Sequence, residues 1–238
     1  MTKYTIRYYY KRRYDLLLTL TLLLLASCVA MSLGACARVS PYSVDLNYAP
    51  EDTTPSLNKK VQKLVLTVSK FNDLRQVEDK MVIGQVVKSG GSEIPIFPKF
   101  RTPPDAVTHA IKDYLRKTGY RLSTGTPDWD LNDETIKKEW GDIVIGGNIH
   151  EFEIVCTKNW PIRKYTAKVK FVAVFANARK SKTEVKINVE SSPTLEHIRF
   201  SEQKIEEVIN DAMSVAIRKA FESQEINRKF IEIAEGID

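Results

Sequence analysis

The longest uninterrupted apolar run lies at residues 16–35, which carry no charge and crowd leucine into their first half. Beyond residue 60 the hydrophobic positions fall into short periods instead. Leu64, Leu66 and Val68 alternate, with Val65 on the other face, and predict a strand over 61–68. A second short strand is expected at 81–87, before a polar Ser89-Gly90-Gly91-Ser92 loop. Residues 142–156 predict a long strand, in which Gly146-Gly147 marks a bulge and Phe152, Ile154 and Cys156 share a face. Tyr165, Ala167, Val169, Phe171, Ala173 and Phe175 line one side of the next. Val185, Ile187 and Val189 then alternate with Glu184, Lys186, Asn188 and Glu190. A strand with one wet face belongs in an antiparallel sheet.

Two helices stand out. Thr102-Pro103-Pro104-Asp105 is a start signal, because proline has no N–H to lose in the first turn and an acid suits the positive end of the dipole. Val107, Ala110, Ile111, Tyr114 and Leu115 form its apolar stripe, and Gly119 closes it. Ser201 opens the second helix, with Phe200 and Ile205 placed as a hydrophobic staple and a buried stripe running on to Ala220. A short further helix is expected over 223–234. Together these elements predict an α+β fold. The expected form is a two-layer sandwich: a mostly antiparallel sheet of about four to five strands with two main helices packed on one face.

Lys3, Arg7, Lys11, Arg12 and Arg13 precede the apolar run, against the single acid Asp15. A basic segment, an apolar segment and then small residues make a secretory signal. The run ends in Leu33-Gly34-Ala35-Cys36, which resembles the lipobox of bacterial lipoproteins. In those proteins the cysteine takes a diacylglycerol, later joined by a further acyl chain such as palmitate, and the chain is cut just before it. Leu25-Ala26-Ser27-Cys28 is a second match. Cleavage there leaves Val29, Ala30, Met31 and Leu33 on the mature chain, so Cys36 is the preferred lipidation site, Cys28 the alternative, and an uncleaved anchor the third possibility. Residues 37–59 hold Pro41, Pro50 and Pro55 with no helical or strand period, and read as an extended tether. The expected organisation is therefore a signal peptide at 1–35, a lipidated cysteine with tether at 36–59, and one α+β domain at 60–238. Ala37, where enteric lipoproteins retained in the inner membrane carry aspartate, points to the outer membrane, with the domain facing the periplasm.

The formal charge of +6 suggests nucleic acid until it is divided. Removing the first fifteen residues leaves 31 basic residues against 29 acids, or +2. So balanced a domain has no electrostatic footprint for a phosphate backbone. Cleavage at Cys36 leaves Cys156 as the only free thiol, which excludes an intramolecular disulfide.

Candidate chemistry is sparse. No nucleophile elbow, phosphate-binding glycine loop or zinc-protease motif occurs, and neither a cofactor nor a metal is expected. Asp73 and Arg75, just after the first strand, are either a polar contact for a partner or an ion pair that fixes the strand exit. Trp160, in Asn159-Trp160-Pro161, is either an exposed anchor for a partner or a packed loop residue. Asp128, Asp130, Asn132, Glu134 and Glu139 follow a calcium-loop spacing, but Asp133 stands where that loop needs glycine. A solvated acidic loop is the simpler reading, with Asn132 capping a turn that ends at Gly141. His109, His150 and His197 lack metal-ligand spacing.

The order of elements resembles the YajG-type lipoproteins of Gram-negative bacteria. The resemblance rests on the lipobox, Asp73-Leu74-Arg75, Ile83-Gly84, the helix ending Thr118-Gly119-Tyr120, the paired long strands and the two C-terminal helices. Residues 125–140 look like an insertion relative to shorter members. The resemblance brings no known activity. A membrane tether plus an ordered domain without catalytic constellations points instead to a membrane-anchored, non-enzymatic binding or assembly module of the cell envelope with a protein partner. An auxiliary lipoprotein of an envelope lipid-transporting ABC system is the alternative, and an enzyme the remaining one.

Overall fold

A computed structural model describes residues 21, 40–50, 58–158 and 160–236. Cys28, Cys36 and, apart from Thr21, the 16–35 run lie outside the described residues, as do positions 51–57 of the expected tether. In chain order the elements are β1 (Tyr42–Val44), β2 (Val65–Val68), β3 (Asn72–Asp73), β4 (Gly84–Val87), β5 (Glu93–Pro98), α1 (Pro103–Thr118) and β6 (Arg121–Leu122). There follow β7 (Ile143–Lys158), β8 (Arg163–Asn177), β9 (Lys182–Ser191), β10 (Thr194–His197), α2 (Glu202–Phe221) and α3 (Gln224–Glu235).

The antiparallel β7–β8 hairpin organises everything else. Its strands are 16 and 15 residues long, about 50 Å at strand rise. No other strand of the described chain matches that length, so each outer edge of the hairpin is covered by short strands laid end to end. On β7 these are β2, β3 and β4, all parallel to it. On β8 they are β9 and β10, both antiparallel. Beyond β4 come β5 and then β1, and beyond β2 comes β6.

The sheet is thus mixed and ten-stranded, which corrects the expectation of four to five mostly antiparallel strands. Several of the extra strands are only two to four residues long, too short to display a period of two. The parallel pairings arise because residues 65–87 run up β7 in one direction without turning back.

Alternation along β7 and β8 puts Ile143, Ile145, Phe152, Ile154, Tyr165, Phe171 and Phe175 on one face, where they join the buried stripes of α1, α2 and α3 in one core. α1 is capped as its sequence predicts: the Asp105 N–H donates to Thr102 Oγ1 at 3.4 Å, and Gly119 ends it at φ 94°. The opposite face is covered too. Trp129 and Ile136 pack there on Val144, Val174 and Ala176 as a second small core. The 125–140 insertion therefore adds a partial third layer to the two expected. Asp128, Asp130, Asn132, Glu134 and Glu139 stay exposed, as a solvated acidic loop requires, while Trp129 and Ile136 between them turn inward.

Gly146 and Gly147 do not form a bulge. They keep register with Val174 and Ala173, and the irregularity falls between Ile149 and Glu151. The glycines serve close packing instead. A Cβ on Gly146 would lie 2.8 Å from the Trp129 ring, and one on Gly147 2.1 Å from the Val172 carbonyl oxygen and 2.4 Å from the Phe71 ring.

Part of the expected tether is also packed. Tyr42–Val44 pairs with β5, and Val44 and Leu46 are buried. The N–H groups of Asp45, Asn47 and Ala49 donate to Glu206 Oε2 (2.9 Å), Asn210 Oδ1 (3.0 Å) and Ser214 Oγ (2.8 Å). Two residues of extended chain rise about 6.7 Å and four of helix about 6 Å, so alternate strap residues meet successive turns of α2. No sequence period marks the strap, because its partners are polar side chains of a helix some 160 positions away.

Asn210→Ala removes both its acceptor for Asn47 and its own bond to the Asp45 carbonyl. Hydrogen exchange at residues 45–49 should accelerate by about an order of magnitude while the sheet amides are unchanged. Gly147→Ala should lower stability by about 2 kcal/mol or more in urea unfolding, through overpacking against Val172 and Phe71.

Candidate functional site

Between the stretch of β7 paired with β3 and that paired with β4, the chain leaves the sheet as a loop over residues 74–83. Here β7 has lost its neighbouring strand, and one side chain stands in for it. The Arg75 side chain is 2% exposed, and its Nη2 lies 2.8 Å from Asp73 Oδ2. Its Nε donates to Asp73 Oδ1 at 3.0 Å, making the contact two-pronged. Nη1 donates to the carbonyls of Val82 (3.1 Å) and Phe152 (3.4 Å), and Nη2 donates also to that of Lys80. All five N–H groups of the guanidinium are thereby used. Above and below it the β7 edge is met by backbone, Leu74 N–H to Ile149 at 2.9 Å and Ile154 N–H to Ile83 at 2.8 Å. Lys80 closes the loop by donating to the Arg75 carbonyl, with its ammonium 3.7 Å from Asp73.

Burial alone would push the Asp73 carboxyl up. Hydrogen bonds from the Arg75 side chain and backbone, with the charges of Arg75 and Lys80, outweigh burial and hold it below the usual carboxylate range. Every polar atom of Arg75 is occupied within its own surroundings, so it presents nothing to another molecule. It is a positioning residue for the loop.

What the loop presents is apolar. Leu74, Val77 and Met81 are 45%, 43% and 41% exposed, a concentration of large hydrophobic side chains on one short segment. Beside them lies a groove of about 820 Å³ whose walls include Val77, Glu78, His150, Phe152 and Glu153. Sequence reasoning missed these three side chains. Their spacing of three and four is what a buried helix stripe shows, yet the segment is neither helical nor buried.

Trp160 is 85% exposed, at the far end of the β7–β8 hairpin. The structure does not bring it to Asp73 and Arg75, which sit beside the middle of β7. The acidic stretch is engaged locally. Asp130 Oδ1 accepts from the Asn132 N–H at 3.1 Å and from the Thr135 hydroxyl, and Asp133 accepts from the Thr183 N–H at 2.9 Å. Asn132 caps the short turn Asp133–Thr135. His109 faces Asp113 at 3.0 Å, and His197 Nδ1 accepts from the Arg199 N–H at 3.1 Å. Among the described residues no three His, Cys, Asp or Glu side chains are gathered as metal ligands would be. Cys156 is buried in the core, where desolvation pushes its thiol up to about 11 despite the charge of Lys158. It carries no useful thiolate at neutral pH.

These features define a mixed-sheet α+β domain with an apolar loop patch. No family model matches the chain, and no curated protein matches its sequence. Solved structures do resemble it. The XCC0632 protein of Xanthomonas campestris, of family-model DUF330, is 10% identical, with a TM-score of 0.50 over 81% of this chain and 95% of that one. At that identity the likeness is one of fold. Lower in similarity are the lipoprotein GNA1162 of Neisseria meningitidis (9% identical, TM-score 0.36, 67% of this chain and 99% of that one) and a minor lipoprotein of Acinetobacter baumannii (9%, 0.37, 69% and 94%). Among the described residues no helix is long and apolar enough to cross a membrane.

The ion pair sets a pH dependence. A carboxyl whose folded-state value is depressed contributes its stability fully above the unfolded value, about 3.9 for aspartate, and loses it as pH falls through the folded value. Asp73→Asn leaves a buried guanidinium half-paired and should cost about 3 kcal/mol at pH 7. Urea titrations of both proteins should show that difference intact at pH 5 to 7 and shrinking below about pH 4.

Proposed function

We propose that this chain is a lipid-anchored, non-enzymatic binding module of the bacterial cell envelope, tethered through Cys36 in the outer membrane and facing the periplasm, as in the YajG-type lipoproteins its sequence resembles. The carrying observation is the loop over residues 74–83. It holds Leu74, Val77 and Met81 in water, and a buried guanidinium bonded to three carbonyls and a carboxylate keeps it in one conformation. Exposed apolar side chains rimmed by charge mark a contact surface. Fixing them beforehand removes the ordering cost of association. The groove beside them combines Leu74, Val77, Val82 and Phe152 with Glu78, Asp79, Glu151 and Glu153. An apolar floor edged by carboxylates has the make-up of a protein interface with its polar rim, which favours a protein partner over lipid cargo.

A photo-cross-linking residue at Val77, in cells expressing the full chain, should yield one discrete larger species. Leu74→Asp should reduce it at least fivefold, as burying one unpaired charge costs 1 kcal/mol or more. Repeated absence of any species from positions 74, 77 and 81 sinks the reading.

A further inference from the structure

The end of the sheet where β7 passes into β8 is unlike the rest of the surface. Trp160 is 85% exposed and Ile162 46%. On the neighbouring strand, His197 pairs with Arg163, and one step beyond it Ile198 is 74% exposed. The strand ends and turns that meet at this end carry Lys88, Lys158, Arg163, Lys164 and Arg199, against Glu93 and Glu196. The domain as a whole is nearly charge-balanced, so this local positive excess is a property of the end.

The end is also built firmly. The Lys158 ammonium lies 3.5 Å from the centroid of the Phe200 ring and 5.3 Å from that of Tyr42. It donates to the Tyr42 hydroxyl at 3.1 Å. The Ser89 hydroxyl donates to the Lys158 carbonyl at 2.7 Å, tying in the β4–β5 turn. Tyr42, Ser89, Lys158 and Phe200 thus belong to one rigid tip.

The chain enters the domain at this tip. β1 is parallel to β5 and begins opposite Ile96, so its N-terminal end faces the start of β5 and the turn beside Lys158. Cys36 is six residues upstream of Tyr42. Six residues span at most about 20 Å. A lipid on Cys36 therefore leaves Tyr42, and the Lys158 ammonium bonded to its hydroxyl, within about 20 Å of the bilayer surface.

We infer that this end is a membrane-docking surface. Trp160, Ile162 and Ile198 enter the headgroup region of a phospholipid leaflet, and Lys88, Lys164 and Arg199 lie against its anionic headgroups. An indole with one apolar and one hydrogen-bonding side settles at the membrane interface. Basic side chains are drawn to an anionic surface, and an anchor becomes stable when acyl chains are combined with such a second contact. The reach argument rests on the lipid-anchor reading above; the exposed side chains and the charge do not.

The test uses the full chain purified from membranes of a Gram-negative host and reconstituted into vesicles of phosphatidylethanolamine and phosphatidylglycerol with brominated acyl chains. Intact mass is measured on the same sample. Trp160 is one of three tryptophans, so bromine should remove roughly a third of the emission. Trp160→Ala should lose almost none. The double variant Ile162→Asp, Ile198→Asp should be quenched at least twofold less, with an unchanged circular dichroism spectrum. An acylated Cys36 without quenching of Trp160 overturns the docking surface and leaves the anchor standing. Quenching with an unacylated chain keeps the surface and overturns the anchor. Absence of both overturns both. A cross-link from position 160 to an envelope protein, without quenching, replaces lipid by protein as the occupant and equally overturns the proposal.

Discussion

The constraint on which this structure depends is the length of the β7–β8 hairpin. Two strands of about 50 Å pair fully with each other, but each leaves a long outer edge of N–H and C=O groups that cannot be buried unpaired. Elements of two to ten residues have to cover those edges, and their number and direction follow from that need. Where β3 ends and β4 has not begun, no backbone is available for the Phe152 carbonyl, and Arg75 supplies the donor. The Asp73–Arg75 pair is therefore a repair of the sheet edge by side chains. Its energetic weight comes from burial, since the same pair in water would contribute little.

The repair has a second consequence. A guanidinium bonded to residues 73, 80, 82 and 152 leaves the intervening loop no freedom, so Leu74, Val77 and Met81 stay outside although the core is close by. The loop cannot collapse to hide them. Stability in the sheet is converted into an exposed surface of defined shape. On the other side of the hairpin the insertion with Trp129 and Ile136 covers apolar positions that would otherwise face water.

The two proposed surfaces fit one orientation. With the Trp160 end on the leaflet, the loop patch beside Phe152 stands about 20 Å higher along β7, at six residues of strand rise. In the proposed orientation that height would clear the headgroups and leave the patch open to the proposed protein partner. The strap over residues 45–49 matters here. Because its amides are pinned to α2, residues 45–49 belong to the packed domain and not to an extended tether.

Much of the framework was legible in the chain. The long alternations over 142–156 and 165–176, the capped helix from Thr102 to Gly119 and the stripe of α2 each carry a period repeated often enough to be read locally. The polar pair at 73 and 75 and the exposed tryptophan at 160 were visible as unusual residue types in their places. What the sequence by itself determined is therefore the set of long elements, the face each one buries and the balance of charge. Only the tertiary structure decided the rest: the parallel run of β2, β3 and β4 along β7, the strap on α2, the back-face core under Trp129, and the roles of Gly146, Gly147 and Arg75. These depend on partners tens to more than a hundred positions away in the chain. A two-residue strand has no period, a glycine does not announce which ring will press against it, and an arginine looks the same in sequence whether its donors meet water or three carbonyls.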